Sequence, residues 1–252
     1  MYVKYQYWIY ATWLNFVVRY RKTLLGPLWL MVGPILFILT IGMLYSRINQ
    51  ADSNQFVPHL AIGIIIWTLI VGFVAGSTTI FQRYRSQIMQ GELQLMDITM
   101  VGVFTTVLQF LHQVIIILIV LLYYKIPINA YTIVSFLGLA LLIINGVWLS
   151  IVFGIIGARY HDLNEVIQAI MRIAFLATPI VWLPGGAGYG GVMGKFLMYN
   201  PFYHYMELIR APLLQTPISP LSWYVVLTFT VVGCSLAYLF KAKFSRVLAL
   251  WV

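Results

Sequence analysis

The sequence predicts an all-α integral membrane fold: six transmembrane helices, an N-terminal amphipathic interface helix, and two short re-entrant outer helices between the fifth and sixth spans. Three observations predict it. Mean hydropathy is +0.92, and 8 % of residues are charged, against about a quarter in a soluble domain. So little polar surface cannot cover a water-facing globule, so lipid is the solvent. The apolar residues form continuous runs rather than the alternation of barrel strands, so the spans are helices. The basic residues stand beside those runs, where topology and anionic headgroups ask for them. That placement excludes a nucleic-acid-binding domain. The whole chain, 1–252, reads as one transmembrane domain.

Residues 2–22 read as the interface helix. Lys4, Ala11, Asn15, Arg19 and Lys22 fall on one side, and Tyr5, Trp8, Ile9, Thr12, Trp13, Phe16 and Tyr20 on the other. Tyr and Trp prefer the headgroup level. The same pattern also fits an aromatic belt without a protein partner. The charges follow the aromatic segment and the next apolar run is too long for an h-region, so a cleaved leader is not expected.

A hydrocarbon core of ~30 Å takes about 20 apolar residues per helix. The first span, about Leu28–Ser46, closes a run of 24 uncharged residues between Lys22 and Arg47. The second runs about Val57–Phe81, the third about Met100–Tyr124 and the fourth about Tyr131–Ala158. The fifth, about Val166–Leu183, carries Arg172 near its start and Pro179 and Pro184 near its end. Placed close to the entry side, Arg172 snorkels. The sixth runs about Leu221–Phe240.

Six spans put both termini on one side. With the termini inside, Lys4, Arg19, Arg21, Lys22, Arg83, Arg85, Arg159, Arg172, Lys241, Lys243 and Arg246 are internal, 11 of the 15 Lys and Arg. Arg47, Lys125, Lys195 and Arg210 remain outside. The positive-inside rule therefore places both termini in the cytoplasm.

Two connections carry pattern. Residues 84–97, YRSQIMQGELQLMD, are too short and polar to span. They read as a short amphipathic helix showing an apolar stripe to something at the membrane face, or as a solvated loop. Residues 183–191, LPGGAGYGG, are a break. Residues 190–214 then read as the two outer helices, since non-helical backbone at membrane depth survives only when buried in protein or beside water. Glu207 and Arg210 stand three apart and suit an ion pair on one helix face.

Much chemistry is missing. The stretch nearest a P-loop, YGGVMGKF, has Tyr189 at the first glycine position and Phe196 at the hydroxyl position. His59, His112, His161 and His204 are scattered without ligand spacing. Cys234 is the single cysteine, which excludes an internal disulfide. All six acids, Asp52, Glu92, Asp97, Asp162, Glu165 and Glu207, map to loops or helix ends. Ion-coupled transporters usually place carboxylates at mid-membrane. Uphill transport would therefore need energy from a partner. His161, Asp162 and Glu165 leave open a membrane enzyme acting on polyprenyl-linked sugars. Asp162 as a helix cap with Glu165 three later explains the same residues.

Four stretches in order carry a resemblance: VRYRKTLLGPLWLMVGPILFILTIGMLYS, FVPHLAIGIIIW, GARYHDLNEVIQAIMRIAFLATPIVW and NPFYHYMELIRAPLL. Together they resemble the membrane subunit of type-2 bacterial polysaccharide ABC exporters, which export O-antigen, capsule or teichoic acid. The LGPLW and RAPLL forms lean toward O-antigen-type members. The resemblance runs from about residue 15 to 245. It implies a permease rather than an enzyme, in the bacterial inner membrane. Its partners would be a second copy of itself, two copies of an ATPase that bind ATP and Mg in place of this chain, and a polyprenyl-pyrophosphate-linked polysaccharide.

The resemblance also implies roles. Residues 84–97 would dock in the ATPase through Arg85, Ile88, Met89, Glu92, Leu93 and Met96. This stretch lacks the proline common in the family. Residues 190–214 would form an outer gate with Tyr203, Glu207 and Arg210. Arg19, Arg21 and Lys22 suit a lipid pyrophosphate, and topology alone also explains them. Aromatic rings stack on sugar C–H faces, so Trp29, Phe37 and Tyr45, recurring at eights on the first span, and Phe175 and Trp182 on the fifth are candidates for the glycan path. Packing on neighbours or lipid is the alternative. A passive channel or scaffold remains a third class.

Overall fold

The computed structural model describes residues 2–49, 53–184, 192–245 and 247–251, which among themselves form helices and turns with no strand. The helices are α1 (Tyr2–Tyr20), α2 (Trp29–Asn49), α3 (Ser53–Val74), α4 (Ile80–Arg83), α5 (Arg85–Met89), α6 (Leu95–Tyr123), α7 (Val134–Arg159), α8 (Leu163–Ala177), α9 (Val192–Tyr199), α10 (Pro201–Leu213) and α11 (Pro220–Phe244).

Local chemistry explains the starts. Pro27 stands in the 3-10 turn Gly26–Leu28 that opens into α2, where a missing N–H costs nothing. Asp97 accepts from the Gln94 backbone N–H at 3.1 Å and closes the first turn of α6. Asn200 caps α10 by accepting from Phe202 N at 3.0 Å, with Pro201 next in line.

Five helical stretches are long and apolar enough to cross a bilayer: Gly26–Tyr45, Asn54–Val74, Leu95–Tyr123, Ala130–Arg159 and Pro220–Phe244. The expected fifth span, Val166–Leu183, is not among them. Regular helix there stops at Ala177, after 15 residues, or about 22 Å. The cause is local: Pro179 disfavours helical backbone at Thr178, which is extended at ψ 137°. The expected second span, Val57–Phe81, also divides. α3 ends at Val74, and a turn through Ala75–Thr79 leads into α4.

α3 lies at the centre, covered by α2, α6, α7 and α10. Leu60, Ile62, Ile65, Ile66 and Leu69 are fully buried there. A second cluster, with Ile80, Phe81, Leu95, Ile98, Ile155 and Leu248, fills the end of the bundle where α4, α5 and the C-terminal turn meet. Small residues set the closest approaches. A Cβ added to Gly157 of α7 would stand 1.9 Å from the Thr78 carbonyl oxygen.

Polar side chains join helices within the apolar layer. Pro34 inside α2 has no N–H for the Leu30 carbonyl four residues back. Gln113 of α6 supplies the missing donor at 3.1 Å and accepts from the Thr68 hydroxyl of α3 at 2.6 Å. Asn145 of α7 donates to Thr230 of α11 at 2.7 Å. The substitution Gln113→Leu leaves the Leu30 carbonyl bare in lipid. We expect it to destabilise the fold by about 1–3 kcal/mol, read as a lower unfolding midpoint in mild detergent. Leu118→Gln, at an exposed position on the same helix, would not reproduce that loss by this route.

Candidate functional site

The end of α8 organises one end of the bundle. Around Ala177 several carbonyls accept hydrogen bonds from side chains. Thr178 donates to Ala174 O through N–H and hydroxyl, at 2.9 and 2.8 Å. Trp182 Nε1 donates to Leu176 O at 3.2 Å, and Asn200 Nδ2 to Ala177 O at 3.4 Å. Arg210 Nη1 donates to Pro179 O at 2.7 Å. His59 Nε2 stands 3.0 Å from Pro179 O, 3.1 Å from Trp182 O and 3.1 Å from Arg210 Nη1. A ring nitrogen either donates or accepts, so one tautomer serves the carbonyls and the other serves Arg210.

Of the expected gate residues, Arg210 is 5 % exposed, and Tyr203 and Glu207 are half-buried. The expected ion pair between Glu207 and Arg210 does not form. Arg210 turns to α3 and the α8 tail, whereas Glu207 turns to the start of α11. There it accepts from Ser219 N at 3.0 Å and from the Ser222 hydroxyl. His204, buried between them, has Nδ1 2.8 Å from Ser222 Oγ and Nε2 2.9 Å from Met198 O. The packing of α3 and α11 on opposite sides of α10 decides this, which a three-residue spacing cannot express. Residues 185–191 of the expected outer segment lie outside the described residues.

The aromatic candidates separate into groups. Phe37 and Phe175 meet, ring centroids 6.0 Å apart and edge to face. Trp67 joins Phe175 at 5.8 Å and Phe202 at 5.5 Å. Tyr45 stacks instead on Phe56 at 3.6 Å. Trp29 is exposed near the start of α2, and Trp182 belongs to the α8 tail. Sequence reasoning missed Trp67, Phe202 and His59. His59 alone carried a signal, as a polar side chain within the apolar run FVPHLAIG.

At the opposite end α1 is seated on α6. Trp8 Nε1 donates to Asp97 at 2.9 Å, Thr12 reaches Val101 O at 3.5 Å, and the Phe16 and His112 rings are 4.8 Å apart. The aromatic face of α1 therefore has a protein partner. Residues 84–97 form the short α5, a turn with Gly91 at φ +72°, and the start of α6. Arg85, Met89 and Glu92 are exposed, whereas Ile88, Leu93 and Met96 are half-buried against the second cluster. The apolar stripe is thus largely folded inward. Arg19, Arg21 and Lys22 are all exposed. Among the described residues no three His, Cys, Asp or Glu side chains gather as metal ligands would.

Residues 6–214 match the family model described as ABC-2 type transporter. The chain belongs to that family. It is also similar to the O-antigen export system permease protein RfbA of Klebsiella pneumoniae, 22 % identical over 242 residues, covering 92 % of this chain and 90 % of that protein. An ABC-2 type transporter subunit of this kind is a multi-pass membrane protein that works as a transporter component, not as an enzyme.

The Ser222 bridge gives a direct check. Ser222→Ala takes one hydrogen-bond partner each from the half-buried Glu207 and the buried His204. It should cost roughly 1–3 kcal/mol, seen as a lower thermal midpoint. Tyr224→Ala, exposed on the same helix, should leave the midpoint in place.

Proposed function

We propose that this chain is the transmembrane subunit of an ATP-driven exporter that carries a lipid-linked polysaccharide, such as O-antigen, across a bacterial inner membrane. One observation carries the reading. The similarity to an O-antigen export permease extends over nearly all of both chains, on top of family membership through residues 6–214.

Two copies of the chain pair with two copies of a separate ATPase, which binds ATP and Mg. Both termini are cytoplasmic, as the charge asymmetry favours. The sixth crossing is made by α8 and the tail after it. Contacts at both ends of α3 support this: Thr78 donates to Asn164 at the start of α8, 2.9 Å, and His59 stands against the tail. Among the docking residues Arg85, Ile88, Met89, Glu92, Leu93 and Met96, the exposed Arg85, Met89 and Glu92 meet the ATPase. The half-buried ones pass its push into the second cluster. Nucleotide binding works through differential contact, favouring one arrangement of the helices over another.

Phe37 and Phe175, joined by Trp67 and Phe202, supply aromatic faces for successive sugar rings. Trp29, Tyr45 and Trp182 stand at the margins of that path. Val166, Ile170, Ile173 and Leu176 leave an apolar face of α8 open next to Phe175, and the second copy and the polymer are placed there. Tyr203, Glu207 and Arg210 hold the outer gate. Arg19, Arg21 and Lys22 attract the lipid pyrophosphate at the inner leaflet.

Reconstitution with the cognate ATPase tests the proposal. ATP should drive a polyprenyl-linked glycan to the opposite leaflet of liposomes, and Glu92→Lys should slow this at least tenfold with the helical content intact. Transport or nucleotide hydrolysis by this chain alone would overturn it.

A further inference from the structure

A cavity of 480 Å³ opens at the end of the bundle where α1 and α4 meet α6. Arg19 and Arg83 line it, and no acidic side chain does. Arg83 is anchored: Nη2 donates to Gly76 O at 2.7 Å and to Thr79 Oγ1 at 3.2 Å. That leaves the rest of a five-donor fork uncommitted. Arg83 keeps much of its surface exposed; the partial burial of its guanidinium, and after it the nearby Arg19, lower its pKa. Two cations therefore face a common space without an anion from the protein.

The cavity wall continues inward with neutral donors. Ser150 of α7 is 3 % exposed and lines the cavity, and its hydroxyl makes no hydrogen bond to any described residue. The Gln109 amide lines it too, equally without a described partner. Gln109 lies roughly 21 Å along α6 from Leu95, at 1.5 Å per residue. Ser150 and the half-buried Gln109 thus present polar groups to the cavity rather than to protein, and an apolar occupant would leave them bare at a cost. An acceptor-rich ligand satisfies both the cations and the deep donors. Guanidinium forks match phosphate oxygens in geometry and charge. One wall is α1, through Asn15 and Phe16, so the cavity borders the helix seated on α6.

We infer that this cavity binds a phosphate or pyrophosphate ester, its charge held between Arg19 and Arg83 and its polar substituent reaching Gln109 and Ser150. The inference deepens the export reading and takes from it only the choice of lipid probe. It replaces a loose basic stretch with a built site, in which Arg83 rather than Arg21 or Lys22 works with Arg19.

The test is binding by the purified full chain in neutral-lipid nanodiscs, followed by native mass spectrometry. The probes are polyprenyl pyrophosphate, the matching polyprenol without phosphate, and inorganic pyrophosphate. Polyprenyl pyrophosphate should bind, and polyprenol should bind at least tenfold more weakly. Arg83→Gln and Arg19→Gln should each weaken the pyrophosphate lipid tenfold or more, with Lys125→Gln at the other end unchanged. Arg83→Gln also gives up the hydrogen bonds to Gly76 O and Thr79 Oγ1. If it does not fold, Arg19→Gln decides, because the exposed Arg19 bonds to no described side chain. Competition by inorganic pyrophosphate at equal concentration supports the anion site with a soluble phosphate as its source; failure to compete supports a lipid headgroup. Equal binding of polyprenol, or parent-like binding by Arg19→Gln, overturns the site. Because neither ATPase nor transport enters the readout, such a result leaves the export reading standing.

Discussion

Where α8 stops being a helix, its backbone carbonyls need donors from elsewhere, and much of the structure answers that constraint. A bare carbonyl in hydrocarbon costs several kcal/mol. Carbonyls of the helix end and of the tail after it take donors from two other elements. Asn200 comes from the start of α10, Arg210 from its far end, and His59 from α3. The irregular tail thus fixes the positions of α3, α8 and α10 together. Glu207, Ser222 and His204 then fasten α10 to α11 on its other side.

The same logic recurs where Pro34 interrupts α2. Pro34 frees the Leu30 carbonyl, and Gln113 comes from α6 to take it. Pro212 lies four residues after Leu208, whose carbonyl oxygen would stand 2.9 Å from a Cβ added at Gly138. Glycine there lets the two helices approach. In lipid the apolar surface of one helix gains little by touching another, so packing at small residues and interhelical hydrogen bonds hold the bundle. Both are concentrated around α3. At the other end of that helix, Thr78 meets Asn164 and Gln82 reaches Gly157 O at 2.9 Å.

The amino-acid order made the membrane class and the apolar spans readable, because length and composition alone decide them. It also made the two short helices after the glycine-rich break readable, with Pro201 opening the second. It did not reveal where the fifth apolar run loses its helix, since Phe175 to Leu183 remains apolar on both sides of the break. The pairing of Glu207 with Arg210 failed for a related reason. Spacing places two side chains near one another on an isolated helix, but α10 is enclosed, and better partners wait on either side. Eight-residue spacing brought Phe37 into view. It could not bring Trp67 or Phe202, which reach Phe175 from other elements. Arg83 was counted for topology alone, because its company with Arg19 exists only once α1 folds back on α6.

The broken end of α8 also bears on how the chain is made. Ribosomes deliver residues 163–184 before Arg210, so the tail is synthesised ahead of its principal donor. A 15-residue helix carrying Arg172 partitions poorly into hydrocarbon by itself. Its seat in the bilayer must therefore be settled late, after α10 has emerged, and the second half of the protein assembles as a unit rather than one helix at a time.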